Sequence, residues 1–352
     1  MINFKLGNIE IKENGEPIFF PDIGTFFDND ISKAEKMIRD LAKSGCKFIK
    51  GEILHSDEIC LDTETIEKYY CYDGNIKEEK YKELVKRKVV SIESYEKLFK
   101  LAKDLNMEFL VSVYDFEGAD YAKKWGACAI KIATSNITHI PLIRYVASLD
   151  LPIIIDTGRS NWDEIARAVQ VVKETGNCKF IVEHSPSAPP APVEKQNLNM
   201  MLSLKRAFDV HPGLSDHHHG EEMMFAAVAM GVQILEKGVC FDDNKDDQDV
   251  YHAIPIAKVA DTLQKCKNVY RAQGNGTRFL KDSEKKTTDR MCLVAKMDLK
   301  IGDTITLDNV KFAFPELGIP AYEWDNVENK EIIKNIPKNS VIGWSDVSLF
   351  TK

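Results

Sequence analysis

The segment CAIKIATSNITHIPLIRYVASLDLPIIIDTG, residues 128–158, decides the fold. It opens on a short, almost continuous apolar run, passes through an amphipathic stretch, and returns to a second apolar run. Strands covered on both faces read this way, apolar nearly throughout instead of alternating. The unit therefore predicts two parallel strands joined by a helix. The same alternation continues outward from residue 17 to about 271. Upstream strand candidates are PIFFPDIG (17–24), CKFIKGE (46–52) and EFLVSVYD (108–115). Downstream are KFIVEHS (179–185), HPGLSDH (211–217) and VQILEKG (232–238). Helical patterns follow all but the last two. ISKAEKMIRDLAKSG (31–45) and NWDEIARAVQVVKETG (161–176) repeat apolar residues at three and four and end in Gly. Eight strands with one helix each predict an α/β fold, a (β/α)8 TIM barrel over residues 1–272, in preference to an open doubly wound sheet. A charged, tyrosine-rich insertion at 53–92 is expected to cover one end of it.

The pattern stops near residue 272. Residues 273–289, within RAQGNGTRFLKDSEKKTTDR, read as a linker rich in charge and small residues. Residues 290–352 read as a small β-rich domain of short alternating strands with an IGD turn. Its own core should be small, so it is expected to dock on something larger.

Composition narrows the function. A net charge of −8 argues against a general nucleic-acid or membrane-surface binder, both of which need a basic face. No apolar run reaches the length of a membrane span, and the first residues are too polar for a secretory signal. The 8 cysteines form no CxxC pair and read as reduced thiols, which suggests the cytoplasm.

Working residues of such barrels sit at the C-terminal strand ends. Those ends read Asp22; Lys50 and Glu52; Tyr114 and Asp115; Lys131 and Thr134; Asp156 and Thr157; Glu183 and His184; Ser215, Asp216 and His217; Glu236 and Lys237. Barrel ends are polar in any case. Lys50 and Lys131, however, lie inside apolar strand sequence, where an unpaired ammonium is costly. Lysines ringed by hydroxyls suit an anionic, phosphate-bearing substrate. The run His217-His218-His219 invites a metal reading, but adjacent side chains diverge, so three consecutive histidines make a poor cage. At most His217 points over the barrel mouth, and His218 and His219 are loop or helix-start residues.

These residues resemble the sialic acid synthase family, whose members condense phosphoenolpyruvate with an N-acetylhexosamine to give nine-carbon keto acids. LSDHHHGEEMMFAAVAMGVQILEKG resembles its Ser-Asp-His-Thr segment, Ala-rich helix and Glu-Lys/Arg-His strand end. IKIATSNITHIPLI resembles its Lys-Ile-Ala/Gly-Ser strand and the helix start that follows, IIIDTGRSNWDEI its Ser-Thr-Gly-Met stretch, and PPAPVEKQNLNMM its Tyr-Pro-Ala-Pro stretch. VAKMDLKIGDTITLDNV with GIPAYEWDN resembles the antifreeze-protein-like (SAF) domain that closes these synthases. The resemblance implies that Lys50, Lys131, Thr134, Thr157, Ser187 and Ser215 bind phosphoenolpyruvate. It places Lys50, Asp28 and Glu52 as catalytic candidates and His217 as a metal ligand. The acceptor side would comprise Phe26, Phe27, Asn136, Asp249 and Phe314. It also implies a homodimer in which each small domain caps the other chain's barrel.

The sequence departs from the family mainly on the acceptor and metal side. Gly238 stands where a second metal histidine should follow the Glu-Lys pair, which weakens the expected Mn²⁺ or Mg²⁺ site. Phe26 and Phe27 replace Asn and His, Asn136 a carboxylate, Pro189 a tyrosine and Phe314 an arginine. Glu52 replaces a glutamine and Asp156 a serine. The reading is a phosphoenolpyruvate-dependent condensing synthase with a small sugar-type acceptor other than N-acetylmannosamine. Two alternatives stand beside it. One is a catalytically altered or inactive homologue acting as a binding or scaffold protein. The other is a lyase or aldolase using Lys50 or Lys131 as a Schiff base.

Overall fold

The computed structural model describes residues 1–27, 29–186, 191–242, 247–278, 284 and 286–348. The chain divides into two compact units, Met1–Gly274 and Asn275–Lys352. The first is a closed parallel barrel. A short hairpin, β1 (Phe4–Leu6) and β2 (Ile9–Ile11), precedes the first barrel strand, β3 (Ile18–Asp22). Helix α1 (Ile31–Lys43) leads to β4 (Phe48–Ile53). The insertion then forms an antiparallel hairpin, β5 (Ile66–Tyr70) and β6 (Ile76–Lys80), and α2 (Tyr81–Lys88). From there strand and helix alternate: α3 (Ile92–Asp104), β7 (Glu108–Val113), α4 (Phe116–Trp125), β8 (Ala129–Ile132), α5 (Ile140–Ser148), β9 (Ile153–Asp156) and α6 (Trp162–Glu174). The rest of the barrel is β10 (Phe180–His184), α7 (Asn199–Phe208), β11 (His211–Asp216), α8 (Glu222–Ala229), β12 (Ile234–Cys240), the two-residue β13 (Ile254–Pro255) and α9 (Val259–Ala272). Strand β12 pairs in parallel with both β11 and β3, which closes the ring.

All eight expected strands are present. Helices also follow the seventh and eighth strands, where the sequence pattern was weaker: α8 is apolar nearly all round, and α9 starts only after a long loop. The hairpin β1–β2 had no strong sequence signal, because its strands are short and half polar.

The strand period of two sorts each strand into faces. Phe19, Ile49, Val111, Ile130, Ile155, Val182, Leu214 and Leu235 lie in one large cluster with the apolar stripes of the helices. In α1 that stripe is Ala34, Met37, Ile38 and Leu41, spaced three and four apart, and Asp30 caps the helix by accepting from the Lys33 N–H. Full burial of such a side chain contributes roughly 1.5–3 kcal/mol. On the other face, Phe20, Phe48, Leu110, Ala129, Ile154, Ile181 and Ile234 pack with Phe4, Leu6 and Ile11 of the hairpin. Gly213 shares this level; a Cβ there would stand 2.6 Å from Ile234 and 2.8 Å from Glu183. Two residues further along the same face come Asp22, Lys50, Ser112, Lys131, Asp156, Glu183, Ser215 and Glu236. An apolar floor thus carries a layer of buried polar side chains at the C-terminal strand ends.

The second unit has a core of its own, including Leu293, Leu299, Ile305, Ile319, Ile332 and Ile342. Its strands β14 (Cys292–Ala295) and β15 (Val310–Ala313) pair antiparallel. Single bridges such as Leu299 to Ile336 and Ile332 to Val347 join its turns, and the short α10 (Trp324–Val327) completes it. No helix of the described residues is long and apolar enough to cross a membrane.

Candidate active site

A cavity of about 570 Å³ opens above the polar layer, within the first unit. Its floor is Asp22, Lys50, Ser112, Lys131, Asp156, Ser215 and Glu236, and its rim includes Phe26, Thr134, Ser185, His217, Asp249 and His252. The insertion supplies one wall with Ile59, Glu67, Tyr81, Leu84, Val85 and Lys88. It is tied to the loop after β12 by Lys88, whose Nζ lies 2.7 Å from Asp247, and by the Tyr70 and Tyr251 rings, 5.5 Å apart.

Lys131 is 3% exposed and stands 2.8 Å from Asp156, 2.6 Å from Glu183 and 2.6 Å from Glu236. Burial alone would lower its pKa, but these carboxylates outweigh burial and hold it well above the usual lysine value. Lys50 is paired with Asp22 at 2.6 Å, with Glu52 at 3.5 Å and Glu236 at 3.8 Å, and is likewise held protonated against burial. The carboxylates do not all ionise. Burial pushes Glu183 well above the carboxylate range and raises Asp22 to about 7, against the pull of Lys131 and Lys50 respectively. In Asp156, Glu52 and Glu236 burial is overcome: their pKa values are lowered by Lys131 at Asp156, by Lys50 and the Tyr114 hydroxyl at Glu52, and by Lys131 and Lys50 at Glu236. Five acids around two lysines are thereby brought close to charge balance.

The remaining candidates divide by geometry. Ser215 donates to Glu236 at 3.1 Å and lies 3.4 Å from Lys131; Thr134 donates to Asp156 at 2.6 Å; Glu52 accepts from Tyr114 at 2.7 Å. Phe26 and Asp249 line the cavity. Three residues are directed elsewhere. The Thr157 hydroxyl donates to the Glu183 carbonyl at 2.9 Å, because its side chain falls on the opposite strand face from Asp156. The Asn136 amide donates to the Val113 carbonyl at 3.1 Å, and Phe27, 1% exposed, belongs to the apolar core under the helices. Phe314 belongs to the second unit, where it is 57% exposed just after β15. Asp28 and Ser187, with Pro189, lie outside the described residues.

The histidines diverge as their adjacency requires. His218 faces Glu222 at 2.9 Å, and His219 Nδ1 lies 2.7 Å from the Tyr251 carbonyl. His217 alone lines the cavity, its Nδ1 3.3 Å from Ser185 Oγ. Gly238 follows Glu236 on the inward face and lines the cavity; a Cβ there would make ordinary contact with the Phe26 ring and with Ala253, each at 3.4 Å. No group of three or more His, Cys, Asp or Glu among the described residues is placed to hold a metal ion. One imidazole does stand beside His217. His252, from the loop after β12, has its ring centroid 4.7 Å away and also lines the cavity. Sequence reasoning missed His252, which sits in no motif, and Ser112, a small residue one position inside the end of β7. Asp22, Asp156, Glu183 and Glu236 were legible as strand ends; their convergence on two lysines was not.

The sequence pattern of the NeuB family matches residues 37–278, and that of the SAF domain residues 290–348. N,N'-diacetyllegionaminic acid synthase of Campylobacter jejuni is 28% identical over 92% of this chain and 98% of its own length. The N-acetylneuraminate-9-phosphate synthase of Mus musculus is 25% identical over 94% of this chain and 92% of its own. Among solved structures, the sialic acid synthetase of Leptospira borgpetersenii, in complex with citrate, superposes with a TM-score of 0.71, 24% identity, and coverage of 80% of this chain and 94% of that one. The family pattern spans the greater part of the chain, from the first helix to the end of the barrel, and the chain belongs to the NeuB family.

Proposed function

We propose that the chain is a carbon–carbon bond-forming synthase that joins phosphoenolpyruvate to a sugar-type aldehyde, giving a 3-deoxy-2-keto acid and phosphate. The observation that carries this reading is the pair of buried lysines at the barrel mouth, with Ser112, Thr134 and Ser215 beside them. Lys131 and the hydroxyls would hold the phosphate, and Lys50 the carboxylate. The relatives are named for three different products, N,N'-diacetyllegionaminic acid, pseudaminic acid and N-acetylneuraminate 9-phosphate, and the changed residues on this chain's acceptor side fit an acceptor other than N-acetylmannosamine. Phe26 and the insertion's Tyr81 place aromatic rings beside Glu67 and Lys88 in the cavity wall, where the acceptor would lie.

In the reaction C3 of the enol attacks the aldehyde carbon and a carbon–carbon bond forms. The aldehyde oxygen takes a proton. Asp22, with its pKa raised to about 7, is suited to hold that proton near neutrality. Water adds to the cationic C2, giving up one proton. The C2 hydroxyl then passes its proton to the phosphate oxygen as the bond between C2 and that oxygen breaks, so that hydrogen phosphate leaves and the ketone remains. A divalent ion held at His217 would polarise the aldehyde oxygen. The Schiff-base alternative is disfavoured, because an imine-forming lysine must be neutral and both lysines are held protonated. The proposal extends to a homodimer in which the C-terminal domain of one chain covers the partner's barrel. The test is phosphate release from phosphoenolpyruvate with a panel of amino- and deoxy-sugar aldehydes and Mn²⁺ or Mg²⁺. Release dependent on one aldehyde is expected; none with any aldehyde overturns the synthase in favour of a binding homologue.

A further inference from the structure

The strand-eight position that follows the Glu-Lys pair carries Gly238, which supplies no ligand, and a Cβ there would touch the Phe26 ring and Ala253 at 3.4 Å. The residue beside Ala253 is His252. It is 3% exposed, its ring meets that of His217 edge to face at 4.7 Å, and both rings line the cavity. Its Nδ1 has no hydrogen-bond partner. A buried imidazole nitrogen without a partner is costly unless something completes it. The neighbouring ring is no substitute, since His217 directs its Nδ1 to Ser185. Lys237, the nearest cation in sequence to Gly238, turns to the other strand face and is paired with Asp216 at 2.9 Å, so it does not compete for the space.

We infer that His252 is the second imidazole of a divalent transition-metal site shared with His217, supplied by the loop after β12 in place of a strand-eight ligand. Two neutral imidazoles suit Mn²⁺, Co²⁺ or Zn²⁺ better than Mg²⁺, which prefers oxygen. The described residues offer no further ligand set, so water or substrate oxygens complete the coordination. Such a site binds loosely and is filled from solution.

The inference rests on the barrel mouth being the working site, but it is tested without substrate, so it stands or falls apart from turnover. The full chain is titrated with Mn²⁺ alone by calorimetry, and pulsed paramagnetic resonance counts the histidine nitrogens coupled to the bound ion. Two nitrogens are expected in the parent. His252→Ala and the bulkier His252→Gln should each lose one and bind Mn²⁺ at least about tenfold more weakly, since even outer-shell changes cost that much. His219→Ala, whose ring faces Tyr251, should match the parent. Circular dichroism on each variant confirms the fold. A parent spectrum with one histidine nitrogen or none, or a His252 variant that binds Mn²⁺ as the parent does, overturns the assignment.

Discussion

Lys131 shows how one residue serves both the fold and the chemistry. Three acids close on its ammonium, and none of them has another cation within the 2.6–2.8 Å of these contacts. Lys131→Ala should abolish phosphoenolpyruvate binding in calorimetry. It should also destabilise the barrel by about 3–5 kcal/mol at pH 7, because it leaves uncompensated buried charge. The loss should shrink as pH falls and the stranded carboxylates protonate; a variant equally stable at both ends of that range would contradict the charge argument. Asp22 gives a second test. Its folded pKa of about 7 exceeds its unfolded value of 3.8, so its contribution to stability is present below pH 3.8 and is lost as pH rises through 7. Asp22→Asn should flatten the stability–pH curve across that window and remove a limb near pH 7 from the kcat/KM profile. An unchanged profile would mean that another group holds the proton.

At the level of elements, the strands were legible because burial on both faces leaves them nearly continuous in apolar residues. Their polar ends were legible because charge inside such a run has no solvent to face. What sequence could not supply was mutual placement. Asn136, Thr157 and Phe27 occupy the right positions along the chain, yet their side chains go to a carbonyl, a carbonyl and the core. Thr157 obeys the strand period of two and so turns away from Asp156, while Asn136 and Phe27 lie in turns beyond the strands, where no period fixes the side chain. His252 was invisible for the opposite reason: a loop after β12 brings it to His217 from 35 residues away, outside any motif. The same placement alters what a substitution at Gly238 can achieve. From sequence, Gly238→His would simply restore a ligand and tighten Mn²⁺ binding. With Phe26 and Ala253 against that position, the lone substitution should fail to do so and should lower the melting temperature, since overpacking costs about 1–3 kcal/mol. Paired with Phe26→Asn, which clears the ring, it should recover stability and bind Mn²⁺ more tightly than the parent. Tighter binding by the single variant would show that the space is not closed.

For the whole molecule, the decisive question is what completes the acceptor side. The first unit is a closed barrel with its own floor and helical shell, and the second has an independent core. Each unit has a buried cluster of its own, so a role for the C-terminal domain is to be sought in the reaction as well as in stability. In the proposed homodimer it would roof the partner's barrel, with the exposed ring of Phe314 giving an apolar surface toward the acceptor. Such a roof excludes water from the step in which a cationic C2 must wait for a single, placed water molecule. Light scattering on the full chain should therefore give twice 39.9 kDa at micromolar concentration. A chain ending at residue 278 should fold, keep phosphoenolpyruvate affinity because Lys50, Lys131 and Ser215 all lie in the barrel, and lose turnover together with most of its dimerisation. Phe314→Arg in the full chain separates the two effects: dimer and donor affinity should persist while the preferred aldehyde changes. A monomeric full chain with undiminished turnover would remove the roof from the mechanism and leave the acceptor to be held by the barrel and its insertion alone.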